Sequence, residues 1–289
     1  MKRIVILIAG ALLAAAPVMA QTNWGFRGNI GAEKKISKGL DAGVDFRYHQ
    51  TDNFQSTDRW SVGLSLDKRL YRNDAKTFNV KAGLGYKYIR AYHGWSTKFK
   101  GDSTLTVAND LEPQYYIDNN YSFNYSDTYV DSRHRLTASV QAGLELGRFK
   151  ISLREAYQFT HTDSVNYSVD RYRYTTKDRT DKGYNKISGT NFWLRNDVEG
   201  KPASNRNTLR SRISVDYNIP HCKFDPFISY ELFNSLDEGF KAEKSRVTAG
   251  FDFSVNKKHD FEVAYMWQNQ HDDDEPAGSF ICLSYKLEF

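Results

Sequence analysis

The sequence predicts an all-β fold, a transmembrane antiparallel up-and-down β-barrel of about ten to twelve strands with twelve favoured, and three observations carry this reading. The last nine residues alternate without a break. Ile281, Leu283, Tyr285, Leu287 and Phe289 share one face, while Cys282, Ser284, Lys286 and Glu288 share the other. A period of two belongs to a strand with one face in an apolar medium. The same alternation recurs in ten earlier segments, each bounded by Gly, Asn, Asp or Lys. Finally, the first twenty residues have the make-up of an export signal: a basic start at Lys2 and Arg3, an apolar run from Ile4 to Ala16, and Val18-Met19-Ala20 before a cleavage point at Gln21.

The segments follow in order. Trp24, Phe26, Ile30 and Ala32 face one way in the first, and Leu40, Ala42, Val44, Phe46 and Tyr48 in the second. Trp60, Val62, Leu64, Leu66 and Leu70 do so in the third; Phe78, Val80, Ala82, Leu84, Tyr86 and Tyr88 in the fourth. After a break come Leu136, Ala138, Val140, Ala142, Leu144 and Leu146, then across Gly147-Arg148 the set Phe149, Ile151, Leu153, Tyr157 and Phe159, a strong hairpin signal. A second break precedes the runs Leu209 to Ile219, Pro226 to Leu232, Val247 to Val255 and Phe261 to Trp267, and the closing strand makes eleven. Tyr and Trp near several strand ends suit a membrane interface. Runs of about ten residues tilted by about 45° span a hydrocarbon layer, whereas soluble strands average about five to six, which sets the membrane barrel above a soluble sandwich or a lipocalin-like barrel.

With the C-terminus on the periplasmic side, counting back puts the long connections Tyr92 to Ser132 and His161 to Arg206 outside, and short links such as Asn256-Lys257-Lys258 in the periplasm. An odd count starts the chain outside. Bacterial single-chain barrels have an even number of strands, so either a twelfth strand lies in Glu112 to Tyr125 or Ile187 to Val198, or one weak run does not span.

Composition excludes other classes. Removal of the signal leaves 38 basic against 35 acidic residues, a formal charge of +3, which argues against nucleic acid as a partner. Mean hydropathy is −0.65 and no later stretch approaches ~18 apolar residues, which excludes helical spans but not a barrel. Two cysteines, Cys222 at a turn and Cys282 inside a strand, make no disulfide framework. The expected organisation is a signal peptide over residues 1–20 and one barrel domain over 21–289.

The chain resembles the outer-membrane family catalogued as domain of unknown function 2490, especially its versions from gut-type Gram-negative anaerobes. The resemblance rests on Asp58-Arg59-Trp60-Ser61-Val62-Gly63-Leu64, Arg133-His134-Arg135, Gly147-Arg148-Phe149-Lys150, Leu153-Arg154-Glu155, Leu209-Arg210-Ser211-Arg212, Cys222-Lys223-Phe224-Asp225-Pro226-Phe227 and Glu231-Leu232-Phe233-Asn234. It covers nearly the whole mature chain and implies a bacterial outer-membrane location without implying an activity. The C-terminal phenylalanine also resembles the closing signal read by the barrel-insertion machinery. Outer-membrane lipid and lipopolysaccharide are the remaining expected partners, for a monomeric barrel.

Positions alternate with the apolar rows, so the inward face carries Arg47, Arg59, Arg135, Arg154, Arg210, Arg212 and Arg246 against Asp45, Glu145, Asp216, Glu231, Asp252 and Glu262. Near equality of sign suits a paired, space-filling interior, because charges away from water are tolerated when paired and hydrogen-bonded. A polar conduit for small solutes ranks next, and a catalytic pair at the rim last. The sharpest expectation is a lumen network of Arg154, Arg210, Arg212, Glu231, Arg246 and Glu145, with Arg212 across from Glu231 and Glu231→Gln costing more stability than a change at a loop carboxylate such as Asp273.

No enzyme constellation survives inspection. His161 and Ser164 lack a positioned third partner, and His271-Asp272-Asp273-Asp274-Glu275 lacks the glycine and spacing of a calcium loop. No cofactor is implied. Glu155 breaks the outward pattern, which a bulge or an interfacial position explains better than catalysis. The aromatic connection around Tyr115, Tyr116 and Tyr121 to Tyr129 is set to pack on itself over the barrel mouth rather than to contact saccharide or lipid A. The function expected is a non-catalytic outer-membrane barrel, structural or a narrow passage, with an envelope lipid-modifying enzyme as the alternative.

Overall fold

The computed structural model describes residues 23–101, 107–108, 111–270 and 277–289. The signal segment and the acidic run from His271 to Glu275 lie outside these. The strands β1 (Trp24–Ser37), β2 (Leu40–Thr51), β3 (Ser56–Arg72) and β4 (Phe78–His93) lead into β5 (Ser96–Phe99), a short helix α1 (Pro113–Asp118) and β6 (Phe123–Ser126). A hairpin of β7 (Tyr129–Leu146) and β8 (Phe149–Thr162) follows, then β9 (Val165–Tyr174), β10 (Asn185–Lys186) and β11 (Phe192–Lys201). The chain ends in β12 (Ser204–Tyr217), β13 (Asp225–Ser235), β14 (Lys241–Val255), β15 (His259–Gln270) and β16 (Gly278–Glu288).

Two compact units result: residues 23–90, 133–161 and 205–289 in the first, and 91–132 with 162–204 in the second. The first is a closed barrel in the order β1-β16-β15-β14-β13-β12-β8-β7-β4-β3-β2. It has eleven strands among the described residues, so the favoured twelve is corrected. Neighbours in an up-and-down barrel run antiparallel, and with an odd number the first and last strands point the same way. They therefore close in parallel, from Trp24 opposite Ser279 to Glu33 opposite Glu288. The two stretches nominated for a twelfth strand do hold strands, β6 and β11, but these pair in the other sheet.

Short turns close one end of the barrel. Gly39 and Gly147 carry φ of 75° and 62°, the left-handed region that glycine enters without steric cost. Between β14 and β15 both Asn256 and Lys257 have positive φ, and the Lys258 N–H donates to the Val255 carbonyl at 3.2 Å, the backbone of a primed hairpin turn. This is the turn end; the opposite, loop end carries the connections β2–β3, β13–β14 and β15–β16.

The outward rows are apolar and exposed. Leu84, Ile30 and Leu64 are 62, 61 and 58% exposed, and Leu66, Leu136, Val140, Leu153, Ile213, Ile228, Val263 and Leu283 share that condition around the circumference. Glu155 sits in this outward row between exposed Leu153 and Tyr157, halfway along β8, where its carboxylate accepts from Ser211 Oγ at 2.6 Å. Its position is therefore mid-strand rather than interfacial.

The second unit is a five-stranded sheet in the order β10-β11-β9-β6-β5. Its core is aromatic: Tyr116 of α1 stacks on Phe123 at 4.9 Å and Phe123 on Tyr172 at 4.6 Å, with Tyr116, Phe123 and Val169 fully buried. The connection's aromatic cluster thus packs on itself and on the second connection. At the sheet surface Arg171 is held by Asp197 at 2.5 Å and Glu199 at 2.7 Å.

Candidate functional site in the barrel lumen

The alternation that exposes Leu and Val outward sends the intervening residues inward, and cross-strand register sorts them into rows. One row runs Arg212–Glu231–Arg246–Gln268 across β12 to β15. Directly paired residues hold their Cβ atoms about 4.5–5.5 Å apart, so this row is a continuous line of charge and amide.

Glu231 is its hub. Its side chain is 8% exposed and receives a fork from Arg210, Nε to Oε1 at 2.5 Å and an N–H of the far nitrogen to Oε2 at 2.9 Å. Arg246 approaches the same carboxylate at 3.6 Å. Arg246 Nε also donates to Gln268 Oε1 at 2.6 Å, and Arg27 donates to that same oxygen at 3.0 Å. Gln268 is fully buried. Around this group pack Phe280, Phe233 and Met266, 2, 4 and 6% exposed. Arg210, Lys244 and Arg246 lie 5.1, 4.6 and 4.6 Å from the centre of the Phe233 ring, where the negative π-face attracts cations. Arg27 lies 4.3 Å from the Phe280 ring. A side chain on Gly25 would meet that ring at 2.7 Å, so only glycine lets Phe280 lie across β1. Toward its loop end the lumen is filled.

Toward the turn end it is open. A cavity of about 1010 Å³ is lined by eight carboxylates, Glu33, Asp45, Glu145, Asp216, Asp225, Asp252, Asp260 and Glu262, against the cations Arg47, Arg148, Lys150 and Lys286. Asp225, Asp252 and Glu262 form one cross-strand row. Lys286 answers part of that charge by reaching Glu288 at 2.6 Å and both Glu33 and Asp260 at 3.4 Å. Among the described residues no group of three His, Cys, Asp or Glu side chains is arranged to hold a metal ion.

Between plug and vestibule lie two smaller cavities of about 300 and 230 Å³. Both are lined by Arg47, Lys87, Arg135, Arg210 and Arg212, and the smaller one also by Arg154. Asp45 there serves two cations, Arg47 at 2.9 Å and Lys87 at 3.1 Å.

The residues singled out in the sequence are therefore distributed as follows. Glu231, Arg210 and Arg246 come together. Arg212 stands opposite Glu231 in the ladder, but the fork is made by Arg210, two residues away. Arg154 donates to Ser139 Oγ at 3.3 Å. Glu145 is not with them; it is exposed and lines the vestibule. Gln268, Arg27, Phe233, Phe280 and Lys87 were not singled out, although the parity of their strands already sends them inward; scanning for charge alone passes over an amide and two rings. His161 Nδ1 is engaged by Asn205 Oδ1 at 2.7 Å, and Cys222 and Cys282 are both free.

Comparison with known proteins gives a family and is silent on activity. No curated protein matches the chain. Among solved structures it is similar to the beta domain of the Bordetella autotransporter BrkA, at 10% identity and a TM-score of 0.40, over 87% of this chain and 82% of that one. Residues 25–277, nearly all of the barrel and the whole of the inserted unit, match the family described as "Protein of unknown function (DUF2490)", and the chain belongs to that family.

Proposed function

We propose that this chain is an integral outer-membrane β-barrel that works as a non-catalytic, non-conducting scaffold, its lumen closed by its own side chains and open only as a vestibule toward the periplasm. The single observation carrying the closed lumen is the buried group of Glu231, Arg246, Gln268, Phe233 and Phe280, a hydrogen-bonded layer with no more than 9% exposure at any member. The membrane reading rests on the ring of exposed Leu, Val and Ile. Monomeric soluble proteins rarely leave contiguous apolar patches above a few hundred Å², and a closed barrel satisfies its backbone hydrogen bonds internally, as hydrocarbon demands. Turn-end hairpins face the periplasm in this reading, following the usual short-turn, long-loop asymmetry.

Conductance in planar bilayers tests the closure. Absence of channel events across varied salt is the expected result, and steady conductance would replace the scaffold with a passage for small solutes, a reading the vestibule favours. Fractionation with heat-modifiable gel migration tests the membrane assignment, which recovery as a soluble periplasmic monomer would overturn.

A further inference from the structure

We infer that the middle of the lumen is a binding site for a small oxyanion, of the phosphate or sulfate type, held by Arg154 and Arg212. The inference starts from which cations are already answered. Arg210 is forked onto Glu231, Arg246 shares Glu231 and Gln268, and Arg47 and Lys87 share Asp45. Arg154 and Arg212 differ: neither has an ion pair within 4 Å among the described residues. Arg154 makes one neutral bond to Ser139, and Arg212 Nε is buried without any hydrogen-bond partner. A buried donor left unmade costs the full desolvation of that group, so the fold holds the Arg212 guanidinium for something the chain itself does not supply.

Geometry brings the two together. On the outer face, Ser211 bonds Glu155 at 2.6 Å and Tyr157 bonds Asn207 at 2.6 Å, contacts that mark how β8 lies along β12. On the inner face of the same residues, Arg154 then lies beside Arg210 and Arg212. All three line one cavity of about 230 Å³, together with the neutral donors Ser139, Thr137 and Gln158. Six cations line that cavity against two carboxylates, Asp45 and Asp67. Asp45 is spent, and Asp67 makes no ion pair within 4 Å among the described residues. Positive charge remains in excess.

Planar guanidiniums match the paired oxygens of phosphate, sulfate or carboxylate through forked hydrogen bonds, which a spherical halide cannot use. The cavity shares Asp45, Arg47 and Ser65 with the turn-end vestibule, which gives a free solute its way in. A lipid headgroup has no such route, because the strands close into an unbroken hydrogen-bonded wall. The site rests on the barrel reading above only for the access of water through the vestibule, and it does not require conduction.

The test uses the full mature chain refolded in detergent, with inorganic phosphate as the probe and sodium chloride at matched ionic strength as the reference. Calorimetric titration is expected to show saturable phosphate binding, weakened at least tenfold in Arg154→Gln and in Arg212→Gln and lost in the double variant, while Lys257→Gln in a turn binds as the parent does. Without phosphate the two arginine variants are expected to unfold at the same or higher urea than the parent, since each relieves repulsion with Arg210. With phosphate, only the parent gains stability. Heat-modifiable migration confirms folding of each variant, and Arg212→Lys, which keeps the charge but not the fork, is expected to retain only part of the affinity. Equal responses to phosphate and chloride, or unchanged binding in both arginine variants, would overturn the site. Channel events in the parent would sink the closed-lumen reading and leave this result standing, so the two failures are distinguishable.

Discussion

Substituting Glu231 by Gln keeps the side chain's volume and one acceptor oxygen while removing the charge at the hub of the lumen. The carboxylate is 8% exposed, holds both arms of Arg210 at 2.5 and 2.9 Å and has Arg246 at 3.6 Å. Removing one partner of a buried ion pair costs about 3–5 kcal/mol, because the other charge is stranded. Two features place the loss near the lower bound, at about 3 kcal/mol: Gln still accepts one bond worth about 1 kcal/mol, and the adjoining cavity of about 300 Å³, lined by both Arg210 and Arg246, admits water. At a urea slope of about 3 kcal/mol per molar, the midpoint of the barrel refolded in lipid falls by about 1 M. Asp273, the first choice of comparison, lies outside the described residues, so Glu238 takes its place; its carboxylate is 61% exposed and pairs with Lys241, which is worth at most about 1 kcal/mol. Arg210→Gln combined with Glu231→Gln should cost less than the two single losses added, as coupled neighbours do. Small, equal losses in Glu231→Gln and Glu238→Gln would refute the reasoning, because they would mean that the hub is as wet as a loop.

Three further expectations follow from other parts of the chain. Glu155→Leu removes a carboxylate from the lipid-facing row and should stabilise the barrel in lipid by about 1 kcal/mol, since carboxylates there cost less than the 2–4 kcal/mol of Arg or Lys; a loss would show that its bond to Ser211 ties β8 to β12. Asp237, in the β13–β14 loop, accepts the Asn207 backbone N–H at 2.6 Å and side-chain N–H at 2.7 Å, bonds that hold its carboxyl below the usual range. A depressed value means anchoring is present at neutral pH and lost only as pH falls through the lowered carboxyl value, beneath the ordinary figure of about 4; hydrogen exchange of the Asn207 amide, corrected for intrinsic rate, reads it, and protection already lost above about pH 4 would contradict it. Cysteine placed at Glu238 should react with a membrane-impermeant maleimide on intact cells while native Cys222, exposed in a turn-end connection, should not; the reverse pattern would invert the barrel.

The eleven spanning strands were legible because one property, alternation of apolar residues, is imposed on every one of them by the same outer medium. The inserted sheet has no such uniform partner. β9 reads Val165-Asn166-Tyr167-Ser168-Val169-Asp170-Arg171-Tyr172-Arg173-Tyr174, and both of its faces mix rings with charges, so periodicity gives little contrast. Its pairing with β6 also joins stretches more than forty residues apart, from Phe123 opposite Tyr172 to Ser126 opposite Val169. The partner of Glu231 shows a second limit. Counting from the middle of the link from Pro220 to Lys223 correctly sets Arg212 opposite Glu231, but a long side chain also reaches its diagonal neighbour, and the fork comes from Arg210. Register is a property of the backbone and follows from counting, whereas the choice between two arginines depends on how each packs, here with Arg210 over Phe233.

Whether the lumen is filled or open is likewise decided by size along each strand, and there the cause is simple once the strands are aligned. Read from the turn end toward the loop end, the inward residues of β1 are Glu33, Gly31, Asn29 and Arg27; those of β2 are Asp41, Gly43, Asp45, Arg47 and His49; those of β3 are Asp67, Ser65, Gly63, Ser61 and Arg59. On β16 the series is Lys286, Ser284, Cys282 and Phe280. Gly or Ser alternates with a charged residue in the half near the turns, and Arg, His and Phe dominate the half near the loops. Small side chains leave a vestibule of about 1010 Å³, roomy enough to hydrate carboxylates that have no individual partners. Large ones meet across the axis and must be paired or ringed by rings, which is why the buried charges Glu231 and Arg246 and the buried amide Gln268 fall in the same layer as Phe233 and Phe280. Arg154 and Arg212 border the small cavity beside this layer: Arg212 stands directly across from Glu231, but Arg210 takes the carboxylate's fork, and that arrangement is what leaves two guanidiniums for an outside anion.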